Sequence, residues 1–189
     1  MRWEPGTPRR LQEAALRLFA TRGFEQTTAG DIADAAGVTE RTFYRHFTDK
    51  REVLFFGQES LLDAFLTGVT SAPAAASPLE IVAAALHSAA SFFPDERRSF
   101  ARTRASIIEH NPALQEREQH KLSNIAAQVA TALRERGVAE PAATLAAQTG
   151  STVFHIAFAQ WIKPGEHREL ADIAADVFAQ LETLISAPA

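Results

Sequence analysis

Between Thr39 and Lys50 the chain reads TERTFYRHFTDK, and its donors and aromatics separate onto two sides of one helix. At about 100° per residue, Arg41 and Arg45 point almost opposite to Phe43 and Phe47, with Thr42, Tyr44 and His46 on the flanks. An outward face of donors backed by two phenyl rings suits a helix that enters the major groove of DNA. Arginine bonds a guanine edge with two parallel donors, Glu40 can accept from a cytosine amino group, and the Thr42 methyl can meet a thymine methyl. Tyr44, His46, Lys50 and two helix-opening threonines, Thr28 and Thr39, suit phosphate oxygens better. Arg2, Arg9 and Arg10 stand ahead of the first apolar stripe and can follow the backbone or reach a minor groove.

No other chemistry has comparable support. His87, His110, His120, His155 and His167 show no i, i+3 or i, i+4 pairing of the kind a metal site uses, and there is no cysteine. Gly150-Ser151-Thr152 lacks the strand that a nucleophile elbow needs, and no glycine loop is built to cradle phosphate. Neither catalytic residues nor metal ligands nor a cofactor are expected. In the second half, Phe92, Phe93, Phe100, Phe154, Phe158 and Trp161 can line an apolar cavity, with Arg104 or His155 as polar anchors for a small effector.

The elements that must position the donor face are helices. Residues Pro8 to Arg22 place Leu11, Ala15, Leu18 and Phe19 on one stripe and stop at Gly23. Thr28 caps a short second helix, with Asp31 at its positive end and Ile32 and Ala36 facing inward. Gly37 permits a turn, and Thr39 caps the helix that carries Arg41 and Arg45. A longer helix is predicted to open at Lys50 and to carry Leu54, Leu61, Phe65 and Val69 from this head into the body. After an Ala, Ser and Pro linker at residues 71–78 come helices around Leu79 to Phe93 and Phe100 to Ile108. A long helix from Pro112 to Gly137 follows, with Leu122, Ile125, Ala126, Val129 and Leu133 in one stripe. Pro141 starts a helix that is apolar on nearly every side, and Leu170 to Ile185 forms a last one with a single broad apolar face. The expected fold is all-α: a head over residues 5–65, with the helix-turn-helix at about 28–47, and a helical body over residues 66–189.

Composition agrees with this division. The net charge is -4, which by itself disfavours a polyanionic partner. Residues 1–51, however, hold nine Lys or Arg against seven Asp or Glu, whereas residues 52–189 hold ten against sixteen. A mildly basic head precedes an acidic body. No signal peptide and no membrane span is read in the chain, and a cytoplasmic protein is expected.

The segments LQEAALRLFATRGF, from Leu11 to Phe24, and TTAGDIADAAGVTERTFYRHFTDKREVL, from Thr27 to Leu54, resemble the DNA-binding domain of TetR-family regulators. The resemblance covers about a quarter of the chain, nearly without gaps. It implies a homodimer that places two recognition helices on a palindromic operator, and a C-terminal domain that binds a small-molecule effector. By the same resemblance Thr28, Thr39, Thr42, Tyr44, His46 and Lys50 fall where DNA is touched, and Glu40, Arg41 and Arg45 where sequence preference is set. The surplus of apolar residues on the last two helices suggests that they join the dimer as a four-helix bundle. The expected function is a ligand-responsive repressor. An activator, or a helical interaction module that binds no operator, stays open on the sequence alone.

Overall fold

The computed structural model describes residues 6–186, and all regular structure among them is helical. The helices are α1 (Thr7–Arg22), α2 (Ala29–Ala35), α3 (Glu40–His46), α4 (Gln58–Ser71), α5 (Pro78–Ala90), α6 (Arg98–Glu109), α7 (Pro112–Glu135), α8 (Ala142–Trp161) and α9 (Leu170–Ser186). Short 3₁₀ turns occupy Glu52–Phe55 and Asp95–Arg97. Arg2 lies outside the described residues.

The chain divides into two compact units. The first comprises residues 6–58 together with Arg102–Glu118, and the second Glu59–Ala101 with residues 119–186. The boundary expected between residues 65 and 66 therefore falls seven residues earlier, and the head recruits a distant segment that its local sequence does not announce. The cause lies next to the boundary. No helix opens at Lys50; Glu52–Phe55 forms a 3₁₀ turn, and Gly57 at φ 93° reverses the backbone before α4 begins at Gln58. That left-handed conformation is open to glycine at little cost and breaks an otherwise continuous apolar run.

In the first unit α1 contributes Leu11, Ala15, Leu18 and Phe19 to the core, as its stripe predicts. They are joined by Ile32 of α2, Phe43 of α3, and Val53 and Leu54 of the turn, none more than a few per cent exposed. Phe43 meets Phe47 at a centroid distance of 5.6 Å, within the range of favourable aromatic pairs. The second unit has its own core, drawn from α4, α5, α7, α8 and α9 and centred on Val69, Val82, Leu133, Trp161 and Ile173. Aromatics thicken one part of it: Phe93 lies 5.2 Å from Phe158 and 5.9 Å from both Phe154 and Trp161.

Candidate nucleic-acid interface

The recognition geometry begins with two caps and a turn. The Thr28 hydroxyl accepts the Asp31 N–H at 3.1 Å and donates to the Asp31 carboxylate at 2.6 Å, while that carboxylate accepts the Thr28 N–H at 2.8 Å. This capping box satisfies donors that the start of α2 would leave unpaired. Held by the Thr28 hydroxyl first and its amide second, with Arg22 3.7 Å away, the Asp31 carboxyl stays below its ordinary pKa. At the end of α2, the Gly37 N–H reaches the Asp34 carbonyl and the Val38 N–H the Ala33 carbonyl, both at 3.0 Å, with Gly37 at φ 69°. This pair of bonds closes the helix and turns the chain. Thr39 then caps α3 by accepting the Thr42 N–H at 3.2 Å, and the two threonine hydroxyls bond each other at 3.0 Å.

The seven residues of α3 are thus clamped at their start and anchored by Phe43, which is fully buried, and by Phe47 just beyond, 6% exposed. Burial of those two rings fixes the rotation of the helix and turns Glu40, Arg41, Tyr44, Arg45 and His46 outward, all exposed. Tyr44 is 54% exposed although its ring packs edge-on against Phe43 at 5.3 Å. Among the described residues neither Arg41 nor Arg45 has a hydrogen-bond or ion-pair partner, which leaves both guanidinium groups available to an outside ligand. Thr28, Thr39 and Thr42 lie beside this row, with hydroxyls already engaged in the caps.

Lys50 is placed differently from its expected phosphate contact. Its ammonium donates to the carbonyls of Phe24 at 2.8 Å, Thr27 at 3.0 Å and Glu25 at 3.3 Å, and stands 4.4 Å from the centre of the Phe24 ring. A lysine ammonium has three donors, so all of them are occupied in tying the α1–α2 loop to the end of the α3 segment. Arg9 and Arg10 lie within the first turn of α1; Arg9 pairs with Glu13 at 3.2 Å.

The residues expected to line an effector cavity are scattered. Arg104 belongs to the head unit, where it bonds the Leu54 carbonyl and Glu118, both at 2.7 Å. His155 is exposed on α8. Phe92 and Phe158 are half-buried in the aromatic cluster, and Phe100 is half-buried on α6. An apolar cavity of the second unit lies between Phe65, Val82, Leu86, Ile125, Val129 and Phe154, with Ser151 as a polar neighbour, and takes in Phe154 of the expected aromatics. Its volume is about 20 Å³, room for one water molecule and little more. Neighbouring periodicity marks these positions as core, and nothing local separates a cavity wall from a packed core. Among the described residues no three His, Asp or Glu side chains gather as a metal-binding group, and no helix is long and apolar enough to cross a membrane.

Known proteins give this arrangement a family. A sequence profile described as bacterial regulatory proteins of the tetR family matches residues 11–55, and one described as the MftR C-terminal domain matches residues 76–186. The chain is 40% identical over 75 residues to the HTH-type transcriptional regulator TcmR of Streptomyces glaucescens, an alignment over 40% of this chain and 33% of that protein. The chain thus spans about a third of the length of that curated relative. In overall fold it is similar to Thermus thermophilus FadR, a TetR-family transcriptional repressor solved in complex with lauroyl-CoA, at a TM-score of 0.55, 23% identity and 96% and 98% coverage of the two chains. A TetR-family protein from Syntrophomonas wolfei superimposes with a TM-score of 0.66 at 14% identity, covering 97% of this chain and 96% of that one. With one profile spanning the head and another more than half the chain, this protein belongs to the TetR family of transcriptional regulators and carries a C-terminal domain of the MftR type.

Proposed function

We propose that the protein is a ligand-responsive transcriptional repressor that binds a palindromic operator as a homodimer, with α3 of each protomer in a major groove. The observation that carries this reading is the unpartnered, exposed pair Arg41 and Arg45 set opposite the buried Phe43 and Phe47. A solvated helix face has no need of such rigid backing, whereas base recognition does, because a bidentate contact tolerates little rotation. In this reading Arg41 and Arg45 meet base edges, with Glu40 and Thr42 able to refine the preference. Thr28, Thr39, Tyr44 and His46 contact phosphates, and Lys50 acts indirectly by holding the loop between α1 and α2.

Dimerisation through α8 and α9 is supported by their exposed apolar side chains. Leu145 and Ile156 are 64% and 48% exposed, and Leu184 and Ile185 are 77% and 66% exposed. Leu145 and Ile156 are eleven residues apart, three helical turns, and so share one face of α8, while the other face is buried in the core. A two-fold partner covers such a stripe with its own copy. The effector site is assigned to the apolar cavity of the second unit, which requires a ligand with an apolar body and an expansion of the cavity on binding. A ligand that favours a separation of the heads unsuited to the operator lowers DNA affinity, and DNA lowers ligand affinity by the same factor.

The test is fluorescence anisotropy on duplexes from the DNA upstream of the gene, over a range of salt. The reading predicts a sequence-selective complex whose affinity falls steeply with salt, and an Arg45→Ala protein that loses about 1–3 kcal/mol of discrimination against single-base variants. Equal affinity for operator and scrambled duplexes would overturn it.

A further inference from the structure

The 3₁₀ turn Glu52–Phe55 is gripped from two directions. From α1, the Gln12 side-chain amide donates to the carbonyls of Val53 and Phe56, each at 3.2 Å. From Arg102–Glu118, the Arg104 guanidinium donates to the Leu54 carbonyl at 2.7 Å, lies 5.2 Å from the centre of the Phe55 ring and pairs with Glu118 at 2.7 Å. Arg117 adds an ion pair to Glu52. The side chains of Arg104 and Glu118 are only 18% and 27% exposed, so this pair is partly withdrawn from solvent and is less screened than a surface pair. Ile107, Ile108 and Leu114 of the same segment are buried.

The route by which the head is held follows from the helix boundaries. On the α4 side no helix spans the junction: Gly57 lies in the left-handed region, one residue before α4 starts. On the other side α6 and α7 run unbroken through the points, after Ala101 and after Glu118, where the two compact units divide. A glycine hinge between turn and helix transmits rotation poorly, whereas a continuous helix with side chains clamped on a turn transmits it well.

We propose that Arg104 and the Glu52–Arg117 pair are positioning residues for operator binding: they couple α6 and α7 to the 52–55 turn, and through it to α1 and the recognition helix. The proposal rests on the reading of the protein as a dimeric DNA binder. In that dimer the clamp restricts which separation of half-sites the two heads accept.

The experiment uses the full chain and the duplex that it selects from a random pool, together with duplexes whose half-site separation is changed by one and two base pairs. The wild-type protein sets the reference ratio of affinities between spacings. Arg104→Ala, Glu52→Arg and Arg117→Glu are each expected to flatten that ratio by about fivefold or more, while the double variant Glu52→Arg with Arg117→Glu restores it. Should Arg104→Ala fail to fold, Arg104→Lys, which keeps the charge beside Glu118 but loses the fork, provides the same comparison. A spacing ratio unchanged in folded single variants would overturn the proposal, and so would a double variant no better than either single one. Failure of the wild-type protein to select any duplex would instead remove the underlying reading, and is recognised before a variant is made.

Discussion

Replacing Lys50 by methionine separates two roles for a cation in the DNA-binding head. Methionine keeps most of the apolar stem and removes the ammonium, so the loss is confined to the three carbonyl bonds and the contact with the Phe24 ring. Two of those carbonyls, on Phe24 and Thr27, are partly buried; that of Phe24 keeps the Thr27 N–H at 3.4 Å, that of Thr27 loses its partner, and the third, on Glu25, is exposed and turns to water. Losing the charged donor at the Phe24 carbonyl and leaving the partly buried Thr27 carbonyl unpaired together cost about 2 kcal/mol, and the ring contact adds about 0.5–1 kcal/mol. The sum, about 3 kcal/mol, corresponds to roughly 100-fold faster exchange of the most protected amides of α1, α2 and α3. Hydrogen exchange resolves this locally, which suits a chain whose two units have separate cores. The same variant, measured against operator DNA at several salt concentrations, should show an unchanged salt slope, because no phosphate contact is removed. A slope lowered by about one, with amide protection intact, would refute the reasoning and return Lys50 to a phosphate.

Three further outcomes are expected. Gly68→Ala should destabilise the second unit by about 1–3 kcal/mol in urea unfolding, since a Cβ there would stand 2.5 Å from the Ala84 carbonyl oxygen and from the Ala85 Cα, and backbone must move to admit it; unchanged stability would show that α4 and α5 separate freely. Glu166 is held down to about 2 by the Arg168 guanidinium first and by the Arg168 and His167 amides. Its folded pKa lies below its ordinary 4.5, so its stabilisation is complete above that value and is lost as pH falls from 4.5 towards 2. The stability gap between wild type and Glu166→Gln should therefore close in that window, and a constant gap down to pH 2 would contradict the assignment. Leu145→Glu combined with Ile156→Glu should shift the protein towards monomer in sedimentation velocity with its helix content unchanged; a dimer as tight as before would place the interface elsewhere.

The head was legible because its information is local. Caps such as Thr28 with Asp31, the Gly37 turn and the two phenyl rings of α3 each act within a few residues, and spacing alone assigns them. The cations that hold the structure together over long distances were not legible. Lys50 bonds carbonyls more than twenty residues away. Arg98, 8% exposed, bonds the carbonyls of Trp161, Glu166 and Arg168. Arg136 gathers those of Val69, Thr70, Ala72 and Pro73 at the end of α4. In sequence each is an ordinary basic residue, and a carbonyl at a helix end offers no side-chain signature to pair it with. The same limit applies to Arg104, which the sequence offers as a polar anchor for an effector cavity and which in the fold bonds the Leu54 carbonyl within the head unit. The break at Gly57 was hidden for another reason: Leu54, Leu61 and Phe65 keep helical spacing across it, so periodicity continues where the helix does not.

The most direct measurement of the central claim is selection of duplexes from a random pool by the wild-type protein and by Arg41→Ala and Arg45→Ala, followed by sequencing. If the outward row of α3 reads bases, the wild type enriches a palindrome with half-sites about one helical turn, or a multiple of it, apart. Each arginine variant then loses stringency at symmetric positions only. Enrichment of no sequence, or of an identical palindrome with equal stringency by all three proteins, would contradict it.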